Sequence, residues 1–495
     1  MTGVWASGPV ALAAFVGYLL VVLAIGVWAT RFSSRGVGEF FVGGRRMNRI
    51  VVALSAVVSG RSAWLLLGVT GVAYTQGASA IWTVSGYTVV ELILFLTLAR
   101  RMRRFAEVHD CVTLPDVFAA RFDDRRGRLR LVLALVLLVF MVGYVSAQFT
   151  AGGKAIGASF GLSSTTGVLI TAGIVLGYTM TGGFLAVSLT DTLQAVFMLV
   201  GLVILPVVAI AHGGGIGAVR SELAGFDPTL VDPFALSLGA FLGAVGIGLG
   251  SPGNPQITVR FMSIEDEGQL PFAAGLATFW NVVMGLGAVS IGLVGRALIP
   301  EVGRLPGADP ESLYPVLAQQ HLSPVLFGIV VASIFAAIMS TADSQLLVAA
   351  STVARDVYEK VLKRDEVVDP RALVRLSRAV VVVLVVAALA LGAVAQDVVF
   401  WLVLFAWGGL GASIGPPLIL SMYWRRTTAP GVLAGMVVGT AVTVGWALTP
   451  VLKGALYELI PAFLASTVAV VGVSLLAGSP VENSREGSAT PAGAP

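Results

Sequence analysis

Long apolar segments recur along almost the whole chain, and they constrain its fold more than any other feature. A helix needs about 20 apolar residues to cross a bilayer core, so these runs predict an all-α polytopic membrane protein embedded in a lipid bilayer. The composition agrees, because 57% hydrophobic and 12% charged residues are far from the balance of a soluble domain. We predict about 13 transmembrane helices, near residues 8–28, 50–74, 79–99, 131–153, 163–181, 185–211, 234–257, 271–295, 324–351, 379–395, 398–422, 428–449 and 455–477.

Residue types that usually carry chemistry are scarce. The single cysteine, Cys111, excludes an internal disulfide and gives a redox or zinc role nothing to build on. None of the three histidines, His109, His212 and His321, lies in an apolar run, which argues against a histidine proton relay. No nucleophile with a base and no metal-ligand cluster is visible. We therefore expect no enzyme activity and no cofactor apart from a coupling ion.

The basic residues predict the orientation. If the N-terminus is outside, most of the 31 Lys and Arg residues fall on the cytoplasmic side, with Arg260 counted among the loop charges. The positive-inside rule then places the C-terminus in the cytoplasm. We expect the membrane to be the plasma membrane. The basic pI of about 9.3 is interpreted as this loop bias and not as nucleic-acid binding. The sequence gives no indication of an oligomeric state.

Two of the predicted spans contain helix-breaking sequence in mid-membrane. The second span has SAVVSGR with Ser59 and Gly60 together, and the seventh has GLGSPGNPQ. Backbone groups freed inside a bilayer are tolerated where they are buried in protein or line a watery cavity, and paired interrupted spans are typical of the central site of a transporter. The alternative is a pair of Pro/Gly kinks with no binding role.

The positions of the two breaks suggest an internal repeat. If the first span is an addition, spans two to six and seven to eleven form two sets of five, each beginning with its broken helix. Because five is odd, the second set enters the membrane from the opposite side, which is an inverted repeat and predicts alternating access. The predicted divisions are an N-terminal part at 1–48, a transport core at 49–422 with repeats at 49–211 and 234–422, two peripheral spans at 423–477 and a disordered tail at 478–495.

The ninth span contains the clearest polar group, in FAAIMSTADSQLLVAAS. Ser340, Thr341 and Ser344 bring hydroxyls to a helix, and Asp343 adds a carboxylate. Sodium is a hard cation that oxygen ligands suit, and carbonyls of an unwound helix with hydroxyls of a facing helix would supply them. The alternative is that the hydroxyls only bond to carbonyls of their own helix.

Polar pairs also occur in the sixth and fourth spans. Asp191 and Gln194 lie three residues apart near the predicted cytoplasmic end of the sixth span, where they would line an exit path or meet free N–H groups at the helix start. Tyr144 and Gln148 are four residues apart in the fourth span, so both can point into the bundle.

Arg61 is the one basic residue inside a predicted span. An arginine at the bilayer centre costs about 2.5–3.5 kcal/mol or more unless it is paired or hydrated, so we expect a partner, either Glu91 or Asp343. Its guanidinium would replace the coupling ion, giving a sodium-independent or proton-coupled carrier or exchanger, or would bind a substrate carboxylate.

These residues resemble the sodium/solute symporter family, most closely its sodium/proline symporter branch. The similarity runs through roughly residues 10–475 and is carried by SGRSAWLLLGVTGVAYTQG, TGGFLAVSLTDTLQAVFMLVGLVILP, GNPQITVRFM and AAIMSTADSQLLVAASTVARDVYEK. The resemblance implies the leucine-transporter-type fold of five plus five helices and a sodium site made by the carbonyls of Val58, Arg61 and Ala337 with the hydroxyls of Ser340 and Thr341. It also implies a substrate site, to which we add Gln148, so that the predicted substrate residues are Ala63, Trp64, Tyr144, Gln148, Ile247, Ser251, Asn254 and Pro255.

Two departures from the proline symporters stand out. Those proteins have an aspartate where this chain has Gly60, and the next position, usually uncharged, is Arg61. They also offer aromatic residues where this chain has Ile247 and Ser251, which should reshape the pocket. We assign Arg61, Glu91, Asp191 and Asp343 to a charge network or gate.

The sequence therefore predicts a secondary active transporter that carries Na⁺ and a small organic solute, an amino acid such as proline or a carboxylate, into the cell. The alternatives are the sodium-independent carrier described for Arg61 and, less favoured, a membrane sensor, because transporter-like domains of this family also occur fused to histidine kinases.

Overall fold

The computed structural model describes residues 8–33, 43–180, 183–364, 366–394 and 398–478. Within these ranges the backbone forms helices, turns and loops, with one isolated bridge between Met47 and Ile264. We label the long helices α1 to α13: α1 Gly8–Ser33, α2 49–76, α3 Ile81–Leu96, α4 Arg128–Phe160, α5 Ser164–Thr179, α6 Phe184–His212, α7 238–263, α8 Leu270–Leu298, α9 Pro324–Leu362, α10 Pro370–Val394, α11 Val399–Tyr423, α12 Ala429–Ala447 and α13 Leu459–Leu476. Shorter helices on the connections are Leu98–Val108, Leu114–Phe122, Ile216–Phe226, Leu313–His321 and Pro450–Ala455.

By length and apolar composition, ten helical stretches of the described chain can cross a membrane. One of them, Arg49–Leu96, has 48 residues and reverses direction at Gly77, whose φ of 71° is in the left-handed region that glycine adopts without strain. Two further apolar helices, Ser164–Thr179 and Leu238–Gly253, are shorter. The thirteen helices α1 to α13 therefore follow the thirteen predicted spans, with some ends shifted, since α9 continues to Leu362 and α10 begins at Pro370.

Helix α2 is interrupted in its middle. The segment Arg49–Ala63 ends in a break at Ser62, whose φ of 46° and ψ of −174° are not helical. A wider helical turn, Trp64–Val69, and the segment Thr70–Gln76 continue the span. The predicted position of the break, at Ser59 and Gly60, is thus wrong by two residues, because Gly60 stays in the helix and Ser62 leaves it.

Helix α7 has the second break, where it was predicted. The segment Leu238–Gly246 tightens into a narrow helix over Ile247–Gly253, Asn254 is extended, and Pro255–Ser263 resumes the helix. Proline at the first position of a helix lacks an N–H that would otherwise have no helical partner. The sets α2–α6 and α7–α11 thus each begin with a broken helix.

Burial separates central from peripheral helices. In an apolar 18-residue stretch of each helix, 83% of the residues are buried in α9 and in α11, compared with 22% in α10 and 28% in α13. Helices α2, α9 and α11 therefore form the centre, and α1, α10, α12 and α13 present apolar faces outward, as expected of helices in contact with lipid. The predicted N-terminal residues 1–7 and most of the predicted disordered tail, from residue 479 on, lie outside the described residues.

Candidate functional site

Ser62 shapes the break in α2. Its hydroxyl oxygen accepts the backbone N–H of Trp64 at 3.1 Å and the hydroxyl of Tyr144 from α4 at 3.4 Å. The positive φ of a non-glycine residue is uncommon and is maintained only where neighbours hold it. The break is therefore fixed by side chains of two helices in a region that is fully buried.

Oxygen atoms of α2 and α9 meet just before this break. The Ser340 hydroxyl lies 3.3 Å from the Val58 carbonyl oxygen and 3.2 Å from that of Ala337. The Thr341 hydroxyl lies 3.4 Å from the Val58 carbonyl and 3.2 Å from that of Ser59. Four of the five residues predicted as sodium ligands are thus brought together, while the carbonyl of the fifth, Arg61, accepts the N–H of Trp64.

This oxygen cluster, formed by Val58, Ser59, Ala337, Ser340 and Thr341, fits a small hard cation. Its atoms are neutral carbonyl and hydroxyl oxygens, and each hydroxyl can turn so that a lone pair faces an ion. Oxygen donors of this kind suit Na⁺, and unwound backbone facing a helix is a known way to assemble them. All five residues are buried, so an ion held there would be out of contact with bulk water.

The Arg61 side chain points away from the oxygen cluster. Its guanidinium forms an ion pair with Glu91 of α3, donates from Nε to the Asn281 amide oxygen of α8 at 2.9 Å, and lies 3.7 Å from the ring centre of Tyr87. Of its two predicted partners, the structure pairs it with Glu91. Asp343 lies in a different cluster, so its assignment as a partner of Arg61 is wrong.

Glu91 joins both broken helices. Its carboxylate accepts the Ser251 hydroxyl of α7 at 3.2 Å and the Asn281 amide of α8 at 2.9 Å, in addition to its ion pair with Arg61 of α2. We call Arg61, Glu91, Asn281, Ser251 and Tyr87 the Arg61 cluster. Hydrogen-bonded pairing of this kind is what makes buried charge tolerable, and it ties α2, α3, α7 and α8 to one another.

Aromatic and amide side chains surround the break. The Trp64 ring stacks on Phe400 of α11, with centroids 5.6 Å apart, and meets Tyr87 edge-on at 6.0 Å. The Ala63 N–H donates to the Gln148 amide oxygen at 3.1 Å. Four predicted substrate residues, Ala63, Trp64, Tyr144 and Gln148, therefore lie around Ser62.

Hydrogen bonds within the protein already engage most of the predicted substrate residues of α7. The Ile247 carbonyl accepts the indole N–H of Trp407 at 2.8 Å, and the Asn254 amide donates to the Gly250 carbonyl at 2.8 Å. Ser251 belongs to the Arg61 cluster, and Pro255 starts the next helical segment. Asn254 thus stabilises the break of α7 instead of presenting its amide as a free group.

A second buried charge pair links α6 and α7. Arg260 donates to Asp191 at 3.0 Å, to the Ser55 hydroxyl at 2.8 Å and to the Ser344 hydroxyl at 2.7 Å. Asp191 also accepts the Ser55 hydroxyl at 2.6 Å and the Ser59 hydroxyl at 3.3 Å. We call these five residues the Arg260 cluster. The prediction that Arg260 is a loop charge is wrong, because it is 1% exposed within a helix.

The Arg260 cluster has additional polar neighbours on α6 and α9. Asp343, Gln194 and Gln345 are each 0% exposed. Among the described residues, neither side-chain oxygen of Asp343 and neither amide atom of the two glutamines has a hydrogen bond of normal geometry. Asp191 and Gln194 thus differ, because Oδ2 of Asp191 accepts three hydrogen bonds within the cluster, whereas neither amide atom of Gln194 bonds to it.

Cavities approach the centre from both sides. The narrower one, on the predicted cytoplasmic side, is lined by Arg260, Ser344 and residues of the Leu114–Phe122 helix. The larger one, on the predicted external side, reaches Ile247 and Phe400. Phe400 stacks on Trp64, so this ring separates the external cavity from the break of α2.

Ion pairs border these cavities. On the predicted cytoplasmic side, Arg130 pairs with Asp356 and, at 2.7 Å, with Asp116, which Arg355 also contacts at 3.3 Å. Burial raises the pKa of the Asp116 carboxyl, but Arg355 and Arg130 outweigh that effect and hold it below its usual value.

On the predicted external side, the Glu311 carboxylate accepts the backbone N–H groups of Val399 and Phe400 at 3.0 and 2.8 Å and the Lys154 ammonium at 2.5 Å. A carboxylate is well placed at the N-terminus of a helix, where N–H groups lack helical partners. Glu311 therefore fixes the beginning of α11, and with it Phe400.

Comparisons with known proteins agree with this architecture. Residues 40–439 match the model of the sodium:solute symporter family. The chain is 35% identical over 470 residues to the osmoregulated proline transporter OpuE of Bacillus subtilis (strain 168), covering 94% of this chain and 95% of that protein. It is 36% identical over 472 residues to the sodium/proline symporter of Staphylococcus aureus (strain JH9), covering 94% and 92%. A substrate-bound, outward-open Na⁺-coupled sialic acid symporter has a similar fold, with a TM-score of 0.80, 19% identity, and coverage of 96% and 99%.

The chain belongs to the sodium:solute symporter family. The predicted all-α fold of leucine-transporter type is confirmed, as is the prediction that the protein is a membrane transporter and not an enzyme. Its departures from the proline symporters of the family can now be placed in space. A Cβ atom on Gly60 would lie 3.0 Å from Ile257 and 3.8 Å from the Glu91 carboxylate, so an aspartate there would point toward the Arg61 cluster.

Sequence reasoning missed several members of the two clusters. Asn281 and Ser55 are isolated polar residues in apolar segments, a signal that was available but not used. Arg260 was visible in GNPQITVRFM but was assigned by its position near a predicted span end. Phe400 had no distinguishing signal, because one more aromatic residue in an apolar span is ordinary.

Proposed function

We propose that this symporter-family protein moves a small organic solute into the cell together with Na⁺, which binds at the oxygen cluster beside the break of α2. The observation that carries the proposal is the approach of the Ser340 and Thr341 hydroxyls to the Val58 and Ser59 carbonyls within 3.2–3.4 Å. The site lies between α2 and α9, so an ion bound there would hold the two helices together. The solute would lie on the other side of the break, against Trp64 and Gln148.

The position of Arg61 supports sodium as the coupling ion. A guanidinium that replaced the ion would have to lie at the oxygen cluster, yet Arg61 contacts Glu91, Asn281 and Tyr87. Its charge is neutralised by Glu91, which also weakens the case for a direct ion pair between Arg61 and a substrate carboxylate. The alternative of a sodium-independent carrier thus has no contact of this side chain in its favour.

We infer the orientation from the basic residues as before, with the N-terminus outside. The narrow cavity at Arg260 then faces the cytoplasm and the larger cavity at Phe400 faces outward. An ion that leaves the oxygen cluster toward the cytoplasm would pass Ser344 and Asp191, which supports the interpretation of Asp191 as part of an exit path.

Uptake by proteoliposomes tests the coupling. With an inward Na⁺ gradient, accumulation of a transported solute should exceed that measured with choline or K⁺ in place of Na⁺, and equal accumulation would exclude sodium coupling. Ser340→Ala should raise the Na⁺ concentration for half-maximal uptake about five- to thirtyfold, because loss of an oxygen ligand costs on the order of 1–2 kcal/mol. Ser466→Ala is a matched control, since the Ser466 hydroxyl also donates across helices, to the Gly435 carbonyl at 2.9 Å, but in the peripheral pair α12 and α13.

A further inference from the structure

Hydrogen-bond donors without protein partners line the break of α2. Ser62 uses its oxygen to accept from Trp64 and Tyr144, so its own O–H is left to donate. The Gln148 oxygen accepts the Ala63 N–H at 3.1 Å, which directs the Gln148 NH₂ group away from Ala63. Among the described residues, the Gln148 Nε2, the Trp64 Nε1 and the Tyr87 hydroxyl are buried with no hydrogen-bond partner.

Several acceptors near the break, in contrast, already accept a hydrogen bond. The carbonyls of Ile247 and Gly250 in α7 accept from Trp407 and Asn254, each at 2.8 Å, and that of Ser251 accepts the Asn254 N–H at 3.3 Å. The nearest carboxylate, that of Glu91, is paired with Arg61 and accepts from Asn281 and Ser251. A substrate that reaches this region therefore meets donors without partners, beside a carboxylate whose charge is already paired.

The backbone adds to the same preference. The helical segment 64–76 begins at the break, so the positive end of its dipole faces the position of the substrate. Half-helix N-termini of broken spans are suited to anionic groups for this reason. The remaining walls, Trp64, Phe400 and Ile247, are apolar and suit a hydrocarbon group.

We propose that the co-transported solute is a small monocarboxylate that has no ammonium group. The proposal rests on the function proposed above and names the substrate class of that same site. The carboxylate is held by the Ser62 hydroxyl, the Gln148 NH₂ group and the Trp64 indole N–H, all neutral donors, and its hydrocarbon part packs against Phe400 and Ile247. A cationic ammonium group, with or without N–H donors, would face the positive end of the helix dipole at the break, and the carboxylate beside it, that of Glu91, is already paired with Arg61.

Ligand-induced stabilisation of the purified full-length protein distinguishes the substrate classes. Thermal unfolding is measured in NaCl and in choline chloride with propionate, isobutyrate, L-proline or glycine betaine, because a ligand that binds the folded state raises the unfolding midpoint. We expect propionate or isobutyrate to raise the midpoint in NaCl, and proline and betaine to have little effect. Stabilisation by proline or betaine that equals or exceeds that of the carboxylates would overturn the proposal, as would a lack of stabilisation by both carboxylates.

The same experiment separates this proposal from sodium coupling. Stabilisation by a monocarboxylate that is equal in NaCl and choline chloride would support the substrate class and contradict the coupling. Stabilisation by proline that requires NaCl would support the coupling and contradict the substrate class.

Gln148→Glu tests the residue assignment. The substitution keeps an oxygen to accept the Ala63 N–H and replaces the donating NH₂ group by an acceptor, so the fold should be retained while the carboxylate concentration for half-maximal stabilisation rises about tenfold or more. Gln319→Glu makes the same chemical change at an exposed position and should leave that concentration unchanged. An unchanged value in Gln148→Glu, in protein whose unfolding midpoint without ligand matches the parent, would contradict the role of Gln148.

Discussion

The two buried arginine clusters of this protein are alike in composition and differ in their surroundings. Arg61 and Arg260 are each about 1% exposed and each pairs with an acid on a neighbouring helix. The Arg61 cluster has one carboxylate for one guanidinium and is enclosed by Tyr87 and Asn281. The Arg260 cluster has a second acid nearby, Asp343, and borders the narrow cavity on the predicted cytoplasmic side.

This difference indicates different roles. A balanced ion pair away from a cavity ties helices together, whereas a pair beside a cavity, with surplus acid and hydroxyls around it, can exchange partners with a passing cation. We therefore propose that the Arg61 cluster has a structural role and that the Arg260 cluster lies on the ion path. Three substitutions probe this distinction, in order of decreasing effect on stability.

The largest loss should follow Glu91→Ala. It leaves the Arg61 guanidinium buried without its counter-charge, which costs about 3–5 kcal/mol in comparable cases, so we expect a much lower unfolding midpoint and little protein in the membrane. Adding Arg61→Met should restore most of the stability, because the buried charge is then gone. If the double variant were as unstable as Glu91→Ala, Glu91 would stabilise the fold by some means other than its ion pair with Arg61.

A smaller loss of stability but a larger loss of transport should follow Asp191→Asn. The amide keeps an oxygen that can accept from Ser55, and Arg260 borders a cavity that water can enter, so the destabilisation should be about 1–3 kcal/mol. Na⁺-driven uptake should fall at least about tenfold if the carboxylate lies on the ion path. If uptake fell only in proportion to the amount of folded protein, the Arg260 cluster would have a structural role like that of the Arg61 cluster.

The smallest effect concerns Asp116, which pairs with Arg130 and Arg355 on the predicted cytoplasmic side. Because Arg355 and Arg130 lower the pKa of Asp116 below its usual value despite burial, its ionised form stabilises the folded state. That contribution is present above the pKa of an unfolded aspartate, about 3.9, and is lost as the pH falls through the lower folded value. Asp116→Asn should remove this part of the acid dependence of unfolding, a change on the order of 1 kcal/mol, and an unaltered acid limb would show that the pairing with Arg130 and Arg355 contributes nothing.

The accuracy of the sequence predictions follows the physical origin of each feature. Span positions were predictable because the bilayer requires long apolar runs, and the break in α7 because GLGSPGNPQ cannot form a regular helix. The break in α2 was misplaced because it depends on tertiary contacts, those of Tyr144 and Trp64 with Ser62, and not on the flexibility of Gly60. Side-chain hydroxyls on one helix were visible, but which carbonyls they would face was not.

Charge pairing was predictable in kind and not in detail. The cost of a buried arginine required a partner for Arg61, and Glu91 and Asp343 were the two predicted candidates. The sequence could not show that Asn281 and Ser251 would complete the pairing, since both come from distant parts of the chain. For Arg260 the need for a partner was itself missed. A charge near a predicted span end looks like a loop residue until the fold shows that it lies beside Asp191.

Glu311 has a consequence for how the protein opens. Its carboxylate accepts the main-chain N–H groups of Val399 and Phe400. The position of the Phe400 ring over Trp64 is therefore fixed through the backbone of Phe400. Separating Phe400 from Trp64 therefore requires one of two changes. Either the hydrogen bonds between Glu311 and the start of α11 break, or the turn at residues 310–312 moves together with that helix. In the second case this turn, although it precedes α9 in the chain, moves as one body with α11. The backbone that bends during opening then lies outside both the turn and the start of α11.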